Sequence, residues 1–344
     1  MQLKNIDIKE RMKFYNVSGL SLTLINDGQI SDSSSFGVLE AGTSEKVDDN
    51  SIFNACSISK FLTSILVLKL SDQGLLDIND NVNNGLTSWK VPENELTQTK
   101  KVTIRNLLSH ESGIVDPKGS FSNLNTTDGV PNMIDLLMGK TTYCNNSIEV
   151  KYLPETDFQY SDAGFCIIQQ LIEDIYEMPF GEIMKEIIFA PLQMNNSTYE
   201  IVFSDAIKGK FSCGHNKDGN VVNEKYPIYP YAAASGLWTT PTDIGKLVLE
   251  LMSSLQGKSK LGLSINSVKE LFNSKGCKGW NGLGMFLDGS EKEIEVSSLG
   301  WGVGFQCMMV AFPYLGKGAI IMTNTDLGVH QLKGMIGEIY SSLK

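Results

Sequence analysis

Apolar and polar residues alternate near the start of the chain in the manner of a half-buried β-strand. The run from Leu20 to Ile25 alternates, Asp27-Gly28 follows it, and Gln29 to Ser31 begins a second run. Asp-Gly between two such runs is typical of a two-residue hairpin turn, because both turn positions favour residues that tolerate positive φ. The chain is therefore predicted to open with a β-hairpin.

Further strands are predicted near the other end of the chain. Gly304 to Phe312 and Ala319 to Asn324 are apolar runs, and a turn at Pro313 to Gly318 joins them. Leu283 to Leu287 has a weaker strand pattern. Between the two ends, apolar residues recur at helical spacing. The predicted helices cover Ile58 to Leu70, Asp162 to Tyr176, Phe180 to Phe189 and Pro241 to Met252, and a last helix runs from about Gly328 to Leu343.

Strands at both ends and helices between them predict the fold class α/β, of the α+β type. We expect one antiparallel sheet, built from the N- and C-terminal strands and flanked by helices, beside a mainly helical lobe. Residues 1–344 would form a single domain, with a sheet lobe of approximately 1–75 and 255–344 and a helical lobe of approximately 76–254. A cleft between lobes is a usual place for a site.

Composition and charge narrow the function. With 42% hydrophobic and 20% charged residues, the chain is typical of globular proteins. Its 29 Lys and Arg against 39 Asp and Glu give a net charge of −10, which disfavours nucleic acid as a partner. Met1 to Tyr15 lacks the apolar segment of a signal peptide, and the densest apolar run, Phe61 to Leu70, is broken by polar residues.

These features predict no integral membrane segment. They also predict a cytoplasmic location, or the cell-wall side if an export signal has been removed. The six cysteines form no Cys-x-x-Cys pair, so we expect free thiols.

Ser57 and Lys60 are the first candidates for chemistry. They lie three residues apart at the start of an otherwise apolar helix, so the amine can approach the hydroxyl and activate it as a nucleophile. Ser57 could equally cap the helix while Lys60 extends to solvent. The same Ser-x-x-Lys spacing recurs at Ser341 to Lys344, at the end of the chain, so the spacing alone does not decide.

Several segments, taken together and in order, resemble the serine β-lactamase and penicillin-binding-protein superfamily, in its branch of class C β-lactamases, D-alanyl-D-alanine carboxypeptidases, D-aminopeptidases and esterases. The resemblance extends from Val17 to Thr325. The segments are Phe53 to Lys60 (the nucleophile motif), Gln73 to Asp77, Val102 to Gly113, Tyr160 to Asp162 (similar to Tyr-x-Asn), Pro191 to Met194, Ala234 to Asp243, and Ser298 to Phe305 (similar to His-x-Gly or Lys-Thr-Gly).

The resemblance implies the β-lactamase/transpeptidase-like fold and a catalytic set. Ser57 would form an acyl-enzyme, and Lys60 and Tyr160 would share the proton transfers. The backbone N–H groups of Ser57 and Trp301 would form the oxyanion hole, and Gly300 would let its strand approach the substrate. No cofactor and no metal are expected, since the histidines are scattered and the cysteines are not clustered.

Two residues depart from the superfamily pattern. Asp162 stands where many relatives have Asn, and a carboxylate there would keep Lys60 protonated, which favours Tyr160 or a water as the base. Ser298 stands where relatives have Lys or His to bind a substrate carboxylate, and no histidine of this chain matches that position. Asp162, Ser298, Gly300 and Trp301 are the predicted substrate-binding residues.

Simpler roles remain open for three of these positions. Tyr160 could be a half-buried aromatic residue that caps the next helix, Asp162 could be the N-cap of that helix, and His110 is expected to be a packed histidine.

The sequence thus predicts a serine hydrolase that acts on an amide or ester. Its partner would be a small molecule or peptide with an acyl group, and the neutral Ser298 favours a broad esterase or amide hydrolase over a β-lactamase or carboxypeptidase. The alternative is a penicillin-binding or sensor protein of the same fold that does not turn over. The sequence does not indicate the oligomeric state.

Overall fold

The computed structural model describes residues 1–125, 127–200, 209–273 and 276–343. Strands occur near both ends of the chain, with a short pair in the middle. They are β1 (Gly19–Asn26), β2 (Gln29–Gly37), β3 (Phe53–Asn54), β4 (Trp238–Thr239), β5 (Phe286–Asp288), β6 (Glu295–Gly302), β7 (Phe305–Phe312) and β8 (Lys317–Thr323).

Most helices lie between β3 and β5. They are α1 (Ile8–Tyr15), α2 (Ser59–Asp72), α3 (Val82–Gly85), α4 (Glu95–Thr99), α5 (Ile104–Leu108), α6 (Met133–Leu137), α7 (Asp162–Tyr176), α8 (Phe180–Met184), α9 (Ala190–Leu192), α10 (Ala232–Ser235), α11 (Pro241–Ser254), α12 (Ile265–Leu271) and α13 (Met335–Ser342). Short 3₁₀ turns add Cys56–Ile58, Glu291–Glu293, Pro313–Leu315 and Gln331–Lys333, and a π-helical turn covers Lys185–Phe189.

Six strands form one antiparallel sheet in the order β2-β1-β8-β7-β6-β5. The sheet therefore joins the N-terminal hairpin to the C-terminal strands, and the predicted fold class is confirmed. Asp27 and Gly28 both have positive φ, at 49° and 68°, as the predicted two-residue turn requires. The division into two lobes at the stated boundaries stays a prediction.

Both faces of the sheet are covered. On one face, Leu20, Leu22 and Leu24 pack with α1 and α13, and Arg11 of α1 pairs with Glu338 of α13 at 2.5 Å. On the other face, α11 packs against β1 and β8, and the nearly fully buried α2 lies in the main core. No helix among the described residues has the length and apolar character needed to cross a membrane.

Two local predictions were wrong, and glycines explain both. Leu283 to Leu287 is a strand only from Phe286 onward, because Gly284 has a φ of +68° and turns the chain. The last helix does not start near Gly328: a 3₁₀ turn at Gln331–Lys333 comes first, and extended Gly334 separates it from α13. The predicted helix over Phe180 to Phe189 changes to π-helical pairing in its second half.

We predict that Leu22→Ala lowers the free energy of unfolding by about 2–5 kcal/mol, because Leu22 is fully buried between α1, α13 and the sheet. Urea unfolding followed by circular dichroism measures the change. Leu75→Ala is the matched control, since Leu75 is 48% exposed and its loss should cost no more than about 0.5 kcal/mol. Equal effects of the two variants would contradict this account of the sheet.

Candidate active site

Ser57 lies in a tight turn that leads into α2. The preceding residue, Cys56, has a φ of +48°, and its N–H donates to Asn54 Oδ1 at 2.9 Å. Its carbonyl accepts from Ser59 Oγ at 2.6 Å. The turn therefore holds Ser57 at the helix entrance through its neighbours rather than through its own side chain. The helix has Ile58 as its N-cap and no side-chain cap, so the capping interpretation of Ser57 is wrong.

Lys60 is buried, with 2% of its surface exposed. Its Nζ donates to Ser57 Oγ at 3.3 Å, to Asp162 Oδ1 at 2.5 Å and to the carbonyl of Ala234 at 2.9 Å. Three partners match the three donors of an ammonium group. The interpretation in which Lys60 extends to solvent is therefore wrong, and the amine links α2, α7 and α10.

The charge of Lys60 is set by two opposing effects. Burial is the largest effect and disfavours the ammonium form, but the Asp162 carboxylate and the Tyr160 side chain together outweigh it, so the pKa of Lys60 lies above the ordinary value of lysine. The amine is consequently cationic at neutral pH. This agrees with the consequence expected from Asp162 in place of Asn.

Tyr160 stands beside this amine. Its ring is 44% exposed, stacks on His110 with the ring centres 4.4 Å apart, and has Lys60 Nζ 4.9 Å from its centre. Burial of its hydroxyl raises the pKa of Tyr160, although the Lys60 charge acts in the opposite direction. The resting pair is thus an ammonium and a neutral phenol.

Ser161 performs the helix capping that two other residues were expected to perform. Its side chain accepts from the N–H of Gly164 at 3.1 Å, and Asp162 is the first residue of α7. The capping interpretations of Tyr160 and Asp162 are therefore wrong. Both side chains are left free to face the serine and the amine.

Asp116 was not predicted from the sequence as a residue of the site. Its carboxylate accepts from Ser161 Oγ at 2.7 Å, from the N–H of Asp162 at 2.7 Å and from the N–H of Ala163 at 3.1 Å. Burial and the nearby charge of Asp162 raise its pKa. Asp116 fixes the turn that carries Tyr160 and Asp162, and no sequence spacing indicates this contact across 45 residues.

His110 is packed beneath Tyr160, with 4% of its surface exposed. Its Nδ1 accepts from the N–H of Ser161 at 3.1 Å. Burial, followed by the charge of Lys60, lowers its pKa, so the ring is neutral at physiological pH. This environment matches the packed role that was expected for His110.

Strand β6 forms the opposite wall. Ser298 is buried at 4% exposure, whereas Trp301 is 44% exposed and donates from Nε1 to Asp326 at 2.8 Å. A Cβ at Gly300 would lie 2.2 Å from the carbonyl oxygen of Ala55, so this glycine lets β6 approach the segment before Ser57. Contact of Gly300 with substrate stays a prediction.

The two walls enclose a cleft of about 300 Å³. It brings together the predicted residues Ser57, Lys60, Tyr160, Ser298 and Trp301, and His110 also lines it. Asp162 and Gly300 lie behind these residues, in contact with Lys60 and Ala55 respectively. Five further residues line the cleft and were not predicted from the sequence: Asn281, Met285, Phe286, His330 and Gln331. Within the described residues, no group of three or more His, Cys, Asp and Glu is arranged to hold a metal ion.

Comparison with known proteins gives the family. A sequence model described as Beta-lactamase matches residues 7–337 of the chain. "Penicillin-binding protein 4" of Amycolatopsis lactamdurans is 30% identical over 215 residues, which cover 62% of this chain and 53% of that protein. The resemblance inferred from the motifs is thereby confirmed. The chain spans about half the length, or less, of the curated relatives that it matches.

Solved structures show the same fold at low identity. A beta-lactamase/D-alanine carboxypeptidase from Pseudomonas syringae superposes with a TM-score of 0.77 at 17% identity, over 98% of this chain and 97% of the other. The octameric penicillin-binding protein homologue from Pyrococcus abyssi gives 0.75 at 20% identity, over 92% of this chain and 72% of the other. These similarities establish the β-lactamase/transpeptidase-like fold.

We predict that Gly300→Ala slows the reaction of Ser57 with a fluorophosphonate by roughly tenfold to a hundredfold, because the added methyl group pushes β6 away from Ala55. The labelling rate is measured by intact-mass spectrometry. Gly279→Ala is the matched control, since a Cβ there meets nothing within 4 Å. Equal labelling rates for the two variants, with both proteins folded, would show that the close approach of β6 is not needed.

Proposed function

The chain belongs to the beta-lactamase family, and from this premise we propose that it is a serine hydrolase that works through an acyl-enzyme on Ser57. The observation that carries the proposal is the buried Lys60 amine, which contacts both Ser57 Oγ and the Asp162 carboxylate. Burying an ammonium group is costly unless it is fully paired, and here one of its three partners is the hydroxyl that would react. A binding surface alone has no need for this arrangement.

The proposed reaction has two steps. In the first, Ser57 Oγ bonds to the carbonyl carbon of an ester or amide while its proton passes to a base, and the bond to the leaving group breaks as that group takes up a proton. In the second, the oxygen of a water molecule bonds to the acyl carbon and the bond between that carbon and Ser57 Oγ breaks. One proton of the water returns to Ser57 Oγ, and the carboxylic acid is released. The products are an acid and an alcohol or amine.

Tyr160 is the proposed base. Lys60 is held as a cation by Asp162, so it has no free electron pair to accept the serine proton. Its charge instead stabilises the deprotonated forms of Ser57 and Tyr160. The phenolate of Tyr160 takes the proton from Ser57, and the phenol then delivers it to the leaving group.

The backbone N–H groups of Ser57 and Trp301 are proposed to bind the oxyanion. Strand β5 pairs only with Glu295 to Ser297 of β6, so among the described residues no strand covers the outer edge of β6 from Ser298 onward. An acyl donor can therefore lie along this edge. Donors fixed in advance by a strand and a helix entrance lose little free energy to reorganisation during the reaction.

Esters and simple amides are the proposed substrates, because Ser298 supplies no positive charge for a substrate carboxylate. The same neutral residue supports a second candidate, a penicillin-binding or sensor protein that is acylated but deacylates very slowly. The name of the Amycolatopsis relative favours penicillin as its ligand. Continued product release from an activated ester separates turnover from a single burst.

We predict that a fluorophosphonate and an activated ester each add their mass to the protein, and that Ser57→Ala abolishes both additions. Intact-mass spectrometry measures them, and a penicillin in a parallel sample tests carboxylate-bearing ligands. Ser341→Ala is the matched control, because it removes the serine of the second Ser-x-x-Lys sequence. The lysine of that sequence, at position 344, lies outside the described residues. Labelling that survives Ser57→Ala would assign the chemistry to another residue.

We also predict that kcat/KM rises with pH through the neutral range without a plateau. A base must be deprotonated to act, and burial raises the pKa of Tyr160 above its ordinary value of about 10. Below that pKa, each increase of one pH unit should therefore raise kcat/KM about tenfold. Initial rates with an activated ester measure the profile, and rates with Ser57→Ala are subtracted as background. A plateau near pH 7 would exclude the Tyr160 phenolate as the base.

A further inference from the structure

A short, tightly closed loop lies beside the proposed active site. The N–H of Leu287 donates to the carbonyl of Trp280 at 2.8 Å, and the N–H of Gly282 donates to that of Met285 at 2.9 Å. Asn281 and Phe286 face each other as an antiparallel bridge. These contacts hold the loop from Trp280 to Leu287, here called the aromatic loop, in one conformation.

The aromatic loop is hydrogen-bonded to the end of α5 and lies closely against α2, the helix that carries Lys60. The N–H of Gly284 donates to the carbonyl of Leu108 at 2.8 Å, and Asn281 Nδ2 donates to the carbonyl of Ser109. A Cβ at Gly284 would lie 2.2 Å from Ser64 Oγ and 2.8 Å from the Lys60 carbonyl. The loop therefore sits on α2 at the level of the catalytic amine.

Apolar side chains of this loop face the cleft or its rim. Met285 and Phe286 line the same cleft as Ser57, together with Leu299 of β6. The Trp280 ring is 45% exposed and is 6.1 Å from the Phe286 ring. Apolar residues that line a cleft together are typical of a binding site, whereas single exposed apolar residues carry no such meaning.

The charged groups of the cleft do not offer a substrate a binding contact comparable to that of the apolar residues. Lys60 is paired with Asp162, the pKa of His110 is lowered by burial so that its ring is neutral, and Ser298 is uncharged. Among the lining residues of the described part of the chain, none is acidic and His330 is the one further group able to carry positive charge. Apolar contact is thus the main interaction by which this cleft can recognise a substrate.

We infer that the site takes acyl donors with a medium-length or aryl apolar acyl group, and that Phe286 and Met285 of the aromatic loop, with Leu299, form the subsite for that group. This inference rests on the proposed acyl-enzyme at Ser57 and adds the substrate class to it. Phe286 is a specificity-determining residue in this account, since it contacts the bound acyl chain rather than the reacting atoms.

The test is a series of p-nitrophenyl esters with acyl groups from acetate to octanoate, plus phenylacetate, in which the leaving group stays constant. Burial of one methylene group corresponds to about a fourfold gain in binding. We expect kcat/KM to rise by about this factor per carbon over the first few members and then to level off as the cleft is filled. Phenylacetate should exceed acetate.

Variants locate the subsite. Phe286→Ala should remove roughly tenfold of the preference for hexanoate over acetate, measured as the ratio of the two kcat/KM values, whereas Phe286→Leu should retain most of that preference. Phe14→Ala is the control for loss of an exposed ring elsewhere, since Phe14 is 66% exposed on α1, and it should change neither rate. The ratio between two esters is insensitive to a partial loss of folded protein.

The outcomes separate the subsite from the proposed function. Ser57-dependent turnover with no dependence on acyl length would overturn the subsite and leave the hydrolase intact. A preference for a mono-p-nitrophenyl glutarate that His330→Ala abolishes would also overturn it and would assign recognition to His330. If acylation occurs without turnover, the labelling rates of alkyl fluorophosphonates of increasing length give the same comparison. Absence of any Ser57 adduct would overturn both proposals.

Discussion

A lysine ammonium group held away from water is the constraint on which the rest of the site depends. Removing the Asp162 carboxylate would leave an uncompensated buried charge, at a cost of several kcal/mol. The partners of Lys60 come from separate parts of the chain: Ser57 precedes α2, Asp162 begins α7, and Ala234 belongs to α10. One side chain thereby ties Ser57 to two helices that lie far from it in sequence. The position of Ser57 and the stability of this junction consequently depend on the same contacts of Lys60.

A second carboxylate, that of Asp116, lies beyond the direct partners of Lys60 and belongs to the same group of charges. Asp116 lies against the N-terminus of α7, where free backbone N–H groups and the helix dipole favour negative charge. Burial and the nearby Asp162 carboxylate both raise the pKa of Asp116. Lys60 on one side and the helix N-terminus on the other compensate for this repulsion. The turn with Tyr160, whose ring stacks on His110, is therefore held by charges on both sides.

Local signals were sufficient for some parts of the structure and not for others. The Asp27-Gly28 turn and helix α7 follow from neighbouring residues, so the sequence predicted them well. The strand at Phe286 and the start of the last helix depend on single glycine conformations that apolar spacing does not reveal. The capping alternatives for Ser57 and Asp162 could be decided only from three-dimensional contacts. Asp116 and the aromatic loop could not be found at all, because their contacts with the site join segments that no local pattern links.

The backbone of Cys56 has a consequence of a different kind. A residue other than glycine in the left-handed region costs about 1 kcal/mol or more, and Cys56, with its φ of +48°, is buried directly before Ser57. Glycine would relieve this strain, yet it would also widen the range of conformations open to the turn that presents Ser57. Cys56 thus lowers the folding stability of the chain, but it restricts the conformations of the turn that presents Ser57. Selection for folding stability and selection for a well-defined position of Ser57 would therefore act on residue 56 in opposite directions.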